Sequence, residues 1–242
     1  MRSFVLALLL CWSTFGHAAT AALRFSAVDS WAMPVAEFRD NRLVGGIIHD
    51  LIERLAQRLD MPVQVHVLPR NRVELALKQS EIDVRCYISP KWITNGNEYL
   101  WSIPFLYQRD LIVARNGSEQ LSSPDAMSGE SVGTVLGYTY PRLQQLFERG
   151  AVQRDEARNQ DLVLQKLLAG RYRYAVSNEL ALGWFNRNLP DGDHLVSVST
   201  LEEEPVGCLV RNDPALPTQR ILRTLVQMKE SGEIEEILAR YR

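Results

Sequence analysis

Charged and neutral polar side chains follow three stretches of the chain that have the composition of β-strands. They are Asp29 after the first stretch, Arg70 after the second, and Ser89, Lys91 and Asn95 after the third. Because ligands of parallel α/β sheets bind outside the carboxyl ends of the strands, these side chains should meet at one edge. Cations there could hold an anionic group, and Asp29 could hold an ammonium or hydroxyl group. The pattern therefore indicates a binding site for a small polar molecule.

Two further residues accompany this set. Trp31 lies in the loop that follows Asp29 and ends in Pro34, and Arg72 lies two positions after Arg70. A pair of arginines in such a loop is either solvated or forms a clamp for an anion. The residues alone leave both interpretations open.

Signatures of common enzyme sites are missing from the sequence. It contains no nucleophile elbow, no Gly-rich phosphate loop and no His, Cys or carboxylate set at metal-ligand spacing. We therefore expect no cofactor, no metal and no catalytic residue. The formal net charge is −2 and there is no basic block, so nucleic acid is not an expected partner.

The candidate residues depend on alternating strands and helices to bring them together. Residues 23–28 and 62–68 alternate between apolar and polar side chains, as half-buried strands do. Apolar residues recur at helical spacing over residues 47–59, and Asn71 with Glu74 fits the start of a second helix. This order predicts an α/β fold with a parallel sheet.

The stretch from residue 80 to residue 107 carries the most specific pattern. Asp83 introduces a β-branched and aromatic strand, a polar bend follows, and residues 101–105 read W-S-I-P-F. The pattern resembles the G-x-[IV]-D, strand, bend and F-S-x-P-Y segment of bacterial extracellular solute-binding proteins of family 3. These are the polar amino-acid binders of ABC importers. The resemblance covers essentially the whole mature chain, including a break at Gly232 before a last short helix.

The resemblance implies a type II periplasmic binding protein-like fold, with two α/β lobes joined by a two-strand hinge. Residues 23–107 plus 206–242 would form lobe 1, and residues 108–205 would form lobe 2. Such a protein would be a monomer in the periplasm that captures a small polar ligand between its lobes for an ABC importer or a signalling partner. The alternative is a periplasmic lyase like cyclohexadienyl dehydratase, in which a cleft carboxylic acid, Glu179 here, assists loss of water.

The resemblance also assigns roles in the second lobe. A G-x-[ST] turn of the family contacts the ligand carboxylate, which implies this role for Thr139, beside Tyr138. The helix predicted to begin near Pro141 would present free N–H groups there, which favour an anion. The alternative is that Thr139 is a plain helix cap. An acidic residue of the family holds the ligand's ammonium group, and Glu179 matches it by spacing.

One departure from the family changes the expected ligand. The arginine that binds the carboxylate in the family's bend is replaced by Asn95, while Arg70 stands where an aromatic residue is usual. We therefore expect Arg70, helped by Arg72, to carry the anionic end of the ligand. Glu179 and Asp29 would face its cationic or hydroxyl-bearing end. Ordinary α-amino acids should then bind poorly.

The first 18 residues have the pattern of a secretory signal peptide. One basic residue, Arg2, precedes a short apolar run, and small residues Gly16 and Ala18 occupy the −3 and −1 positions. We expect cleavage after Ala18 and export. The run is shorter than the ~20 residues that span a bilayer.

Two cysteines, Cys86 and Cys208, remain after such cleavage, both on predicted strands. The resemblance places the returning strand, residues 206–210, antiparallel beside the strand of Cys86. A bridge then requires the two residues to be directly opposed. We expect two buried free thiols, with a disulfide as the alternative.

Overall fold

Strands and helices alternate along the chain in the computed structural model, which describes residues 22–241. The predicted signal peptide, residues 1–18, lies outside the described residues. The elements are β1 Leu23–Val28, β2 Glu37–Arg39, β3 Arg42–Gly45, α1 Ile47–Leu59, β4 Val63–Leu68, α2 Arg70–Lys78, β5 Val84–Ile88, β6 Tyr99–Trp101, β7 Leu106–Arg115, β8 Ser131–Val135, α3 Pro141–Glu148, β9 Gln153–Ala157, α4 Gln160–Leu168, β10 Tyr174–Asn178, α5 Glu179–Asn186, β11 Leu195–Arg211, α6 Thr218–Glu230 and α7 Glu233–Ala239. The predicted α/β class is confirmed.

The main sheet runs through the molecule in the order β4-β1-β5-β11-β7-β10-β8-β9, with β6 also paired to β11, and β2 and β3 form a separate two-stranded sheet. Strands β4, β1 and β5 are parallel, as are β10, β8 and β9. Strand β11 is antiparallel to β5 on one side and to β7 on the other. The parallel strands therefore end at common edges, which is where the candidate residues were expected to meet.

The chain crosses between two lobes on β7 and β11, which we call the hinge strands. Strand β11 is much longer than the predicted 206–210, because its first part pairs with β7 through two register shifts. The apolar core confirms two lobes. One cluster contains residues from 23–105 and 206–238, and two others contain residues from 111–198. Each lobe thus buries its own apolar side chains, and the hinge strands link them.

Helix α2 begins two residues earlier than expected, at Arg70. Its N-cap is Pro69, without a side-chain hydrogen bond, so the predicted capping role of Asn71 is wrong. Because proline fixes its own φ near the value that precedes a helix, no polar cap is needed to turn the chain here. Arg70 consequently occupies the first helical position, at the carboxyl end of β4.

Cys86 and Cys208 form a disulfide, with an S–S distance of 2.00 Å. The expectation of two free thiols is wrong. The residues are direct partners on β5 and β11, with Cα atoms 3.9 Å apart, beside a register shift at Gly207. This register brings the sulfurs together, and strand composition alone does not specify register. None of the helices in residues 22–241 has the length and apolar character needed to cross a bilayer.

Candidate functional site

A cleft lies between the two lobes and takes its lining from both. Lobe 1 contributes Trp31, Arg70 and Tyr87, and lobe 2 contributes Tyr138 and Thr139 from the turn that precedes α3. The hinge strands and the carboxyl end of β10 complete the walls. A ligand held here would touch both lobes and favour their closed arrangement, because its contacts are made only when the lobes approach.

The lobes already touch across this cleft. The Ser30 hydroxyl donates a hydrogen bond of 3.4 Å to the Tyr138 hydroxyl oxygen, and the Arg70 guanidinium carbon lies 5.0 Å from the centre of the Tyr138 ring. The remaining cleft volume is about 60 Å³, which holds only a few water molecules. A ligand of amino-acid size therefore needs more space than the cleft has in this arrangement of the lobes.

A second cavity of about 380 Å³, which we call the side pocket, adjoins the cleft. It shares Arg70 and Thr139 with the cleft and adds Glu74, Arg85 and Lys91. Three of these five side chains are basic and one is acidic. The side pocket is thus the cationic region of the candidate site.

Arg85 is the most unusual group of this region. Its side chain points from β5 into the side pocket, the residue is 2% exposed, and it has no ion-pair or hydrogen-bond partner among residues 22–241. Burial, followed by the charge of Arg70, lowers the pKa of Arg85 to about 9. The guanidinium therefore remains charged at neutral pH. No sequence motif indicated this residue, although a lone arginine inside an apolar strand was a usable signal.

Tyr87, two residues further along β5, adopts a strained backbone conformation. Its φ of 59° lies in the left-handed region that non-glycine residues rarely adopt. The ring packs edge-on against Trp31, with centroids 5.8 Å apart, and the buried hydroxyl has no partner among the described residues. Burial raises the pKa of this hydroxyl. Strain and an unpaired polar group at one residue are features of functional sites.

Asp110 supplies a carboxyl group to the wall of the cleft. It is partly buried on hinge strand β7 and accepts a hydrogen bond of 2.8 Å from the Gln108 amide. Burial raises the pKa of Asp110 to about 6, with further contributions from the charges of Glu202 and Glu204. No predicted role fell on this residue, because its position in a crossing strand does not reveal which face meets the cleft.

Four residues predicted for the site line the cleft: Trp31, Arg70, Tyr138 and Thr139. A fifth, Lys91, lines the side pocket. Its ammonium group donates a hydrogen bond of 2.5 Å to the Glu204 carboxylate, and this interaction raises the pKa of Lys91. Lys91 is therefore already paired inside the protein.

The other predicted site residues lie elsewhere. Asp29 and Arg72 are exposed and line neither cavity. Asn95 has a left-handed backbone, with φ of 57°, and also lines neither cavity. Ser89 is buried, and its hydroxyl donates to Glu204 at 3.3 Å. The structure does not bring these four residues to the cleft.

Glu179 lies outside the cleft, where it accepts a hydrogen bond of 2.9 Å from the Arg109 guanidinium. The neighbouring Asn178 lines the cleft instead. Asn178 is the N-cap of α5, and its side-chain oxygen accepts a hydrogen bond of 2.9 Å from the N–H of Ala181. A shift of one residue at the end of a strand changes the direction of the side chain, which spacing alone does not resolve.

Glu204 is buried, which its sequence context does not suggest. Three consecutive glutamates at 202–204 are typical of a solvated connector, but Glu204 is only 2% exposed. Ser89 and Lys91 of lobe 1 both donate to its carboxylate. These hydrogen bonds tie the bend after β5 to hinge strand β11. Among residues 22–241, no group of three His, Cys, Asp or Glu side chains is placed to hold a metal ion.

Comparisons with known proteins agree with this geometry. A family model described as "Bacterial extracellular solute-binding proteins, family 3" matches residues 26–242. No curated protein sequence matches the chain.

Solved structures with similar folds cover nearly the whole chain. An ancestral arginine-binding protein bound to arginine aligns with a TM-score of 0.75 at 22% identity, over 92% of this chain and 99% of that chain. A histidine kinase sensor domain aligns with a TM-score of 0.74 at 21% identity, over 92% and 96%. An ancestral amino acid-binding protein, a precursor of cyclohexadienyl dehydratase, aligns with 0.73 at 19% identity, over 91% and 95%. These TM-scores show that the chain shares the fold of the three proteins.

Proposed function

The chain belongs to the bacterial extracellular solute-binding proteins, family 3, and from this premise we propose that it captures a small polar ligand between its lobes for an ABC importer or a signalling partner. The fold, that of type II periplasmic binding proteins, is the one the resemblance implied. The observation that carries the proposal is the cleft with walls from both lobes and the hinge. Binding there couples ligand capture to lobe closure, which a permease or a sensor can recognise.

The side of the cleft near the hinge is suited to a hydrogen-bond donor of the ligand. Asp110 offers a carboxylate that accepts only one hydrogen bond, from Gln108, among the described residues. The Tyr87 hydroxyl, which is buried and unpartnered, can bond a further polar group. A charge-assisted hydrogen bond from an ammonium group to Asp110 would contribute about 1.5–3 kcal/mol. The ligand is therefore proposed to carry an amine or hydroxyl group at this end.

Native mass spectrometry of the purified protein tests the proposal. We expect a population with the mass excess of a small polar compound, because a closed cleft releases its ligand slowly. A thermal-shift panel of amino acids, amines and hydroxy acids extends the test, since a ligand at a hundred times its Kd adds about 2.7 kcal/mol of stability. Ordinary α-amino acids should stabilise the protein weakly, and tight stabilisation by one of them contradicts that selectivity. A protein without bound compound that no panel member stabilises contradicts ligand capture.

A lyase is the second candidate function, and Asp110 is the observation that favours it. The raised pKa of this carboxyl group, about 6, is in the range in which an acid can donate a proton near neutral pH. Glu179, predicted for this role, is paired with Arg109 outside the cleft. Incubation of the purified protein with prephenate separates the two functions. Prephenate recovered intact supports a binding protein, and protein-dependent loss of water from prephenate supports a lyase.

The protein is further proposed to be exported to the periplasm as a monomer after signal-peptide cleavage. N-terminal sequencing of periplasmic material is expected to begin at Ala19 or within a few residues, because Gly16 and Ala18 form the cleavage pattern. Exported protein that retains Met1 contradicts this prediction.

A further inference from the structure

Asp83 and Arg85, two neighbouring charged residues of lobe 1, differ in whether an oppositely charged side chain pairs with them. Asp83 accepts hydrogen bonds from two guanidinium groups, at 2.6 Å from Arg24 and at 3.0 Å from Arg211. Arg85, two residues further on, is equally buried but has no carboxylate partner within the described chain. A buried charge without a partner costs stability, because it has lost its hydration. The same sheet that pairs Asp83 twice thus leaves Arg85 unpaired.

The surroundings of Arg85 compensate its positive charge only in part, because the charge of Arg70 opposes it and Glu74 favours it. Arg70, at the start of α2, lines the same side pocket, and its charge acts against that of Arg85. Glu74 is the acidic side chain that lines the pocket. Lys91 also lines it, but its ammonium group is paired with Glu204. Two guanidinium groups therefore face one pocket with a single carboxylate, and that excess is available to an incoming anion.

We propose that the side pocket is an anion-binding subsite, in which Arg85 and Arg70 together hold a carboxylate or phosphate group of the ligand. This inference rests on the proposed function, because the subsite shares Arg70 and Thr139 with the cleft. Guanidinium groups match the planar oxygens of a carboxylate and the oxygens of a phosphate with paired N–H donors. The Thr139 hydroxyl, contributed by lobe 2, can donate to the same oxygens and so link the anion to closure.

The subsite explains how the protein replaces the arginine that the family's bend carries. The corresponding residue, Asn95, lines neither the cleft nor the side pocket. Arg85 enters from inside strand β5 instead, and Arg70 from the start of α2. The candidate site thus has two separate parts. Arg85 and Arg70 would bind an anionic group, and Asp110 at the hinge would accept a hydrogen bond from an amine or hydroxyl group. The ligand class is therefore a molecule whose anionic group is separated from its amine or hydroxyl group.

Thermal unfolding of the mature protein with three simple anions tests the subsite. The probes are sodium acetate, phosphate and sulfate, each compared with sodium chloride at equal ionic strength. The variants are Arg85→Met and Arg70→Gln, with Arg42→Gln on exposed strand β3 as the control. Wild type and the control should gain about 2–4 °C in Tm from at least one oxyanion, the shift that corresponds to about 1 kcal/mol in a protein of this size. Both site variants should lose this gain.

The chloride samples provide an independent readout. Arg85→Met should melt at a higher temperature than wild type, because methionine removes an uncompensated buried charge and keeps most of the volume. If Arg85 instead stabilised the fold, Arg85→Met would melt at a lower temperature than wild type. The larger response to acetate or to phosphate identifies the chemical source of the anion.

Three outcomes overturn the inference: no oxyanion response in wild type, equal responses in wild type and Arg85→Met, or a lower Tm of Arg85→Met in chloride. A ligand without an anionic group, found by native mass spectrometry, overturns the subsite but leaves the proposed capture function intact. Conversely, an oxyanion response that depends on Arg85 supports the subsite even if no co-purified ligand is found.

Discussion

Asp110→Asn is expected to stabilise the ligand-free protein by about 3 kcal/mol at about pH 7. The carboxyl group has a pKa raised from 3.8 to about 6, mainly by burial. Each pKa unit corresponds to about 1.4 kcal/mol between the two protonation states. Asparagine has nearly the same shape, stays uncharged, and can still accept the hydrogen bond from Gln108. The variant therefore removes the cost of the buried charge and little else.

The pH dependence of this effect has a definite sign. Between its ordinary pKa of 3.8 and the folded value of about 6, the folded protein binds the Asp110 proton more tightly than the unfolded chain. Stability of the wild type therefore falls as pH rises through this window. Urea unfolding should show little difference between wild type and variant at about pH 4 and the full difference above about pH 6.

Asp193→Asn, at an exposed position of lobe 2, is the matched control and should change stability by less than about 0.5 kcal/mol. A destabilised Asp110→Asn protein, or a difference independent of pH, would contradict the prediction. In the proposed site the same variant should bind an amine-bearing ligand about tenfold or more weakly. A gain in stability together with a loss of affinity distinguishes a functional carboxylate from a structural one.

Removing the disulfide is expected to lower the free energy of unfolding by about 2–5 kcal/mol. The bridge closes a loop with a sequence separation of 122 residues, and the entropy lost by the unfolded chain grows with loop length. Cys86→Ala with Cys208→Ala is the suitable variant, because both residues are buried, at 1% and 0% exposure. Serine would add buried hydroxyl groups, which cost further stability.

Urea unfolding of oxidised wild type, reduced wild type and the double alanine variant separates the bridge from the packing of its atoms. Reduced wild type should lose most of what the variant loses. Thiol titration of denatured, unreduced mature protein should find neither cysteine free. Two free thiols, or a stability change below about 1 kcal/mol, would contradict the structural role of the bridge.

The order of elements and the common edge of the sheet were predictable because both depend on local patterns. Alternation over residues 62–68 and helical spacing over residues 47–59 reflect which side chains face the core. Arg70 follows the end of β4 and lines the cleft, as this reasoning predicts. The motif of residues 80–107 predicted the family, and with it the two-lobe fold. Trp31 was predicted from its loop after the first strand, whereas Tyr138 and Thr139 were predicted from the resemblance to the family, and all three line the cleft.

The chemistry of the cleft depends on the tertiary structure, because it is decided by burial and by side-chain direction. In the sequence, Arg85 and Asp110 look like ordinary charged residues. Packing removes their water and leaves neither of them in a salt bridge among the described residues. Glu179 and Asn178 differ by one position along the chain, yet only Asn178 faces the cleft. Cys86 meets Cys208 only in the register that β5 and β11 adopt. Local patterns determine which residues turn inward, but electrostatic energy and strand register arise from neighbours distant in sequence, so the folded chain alone determines them.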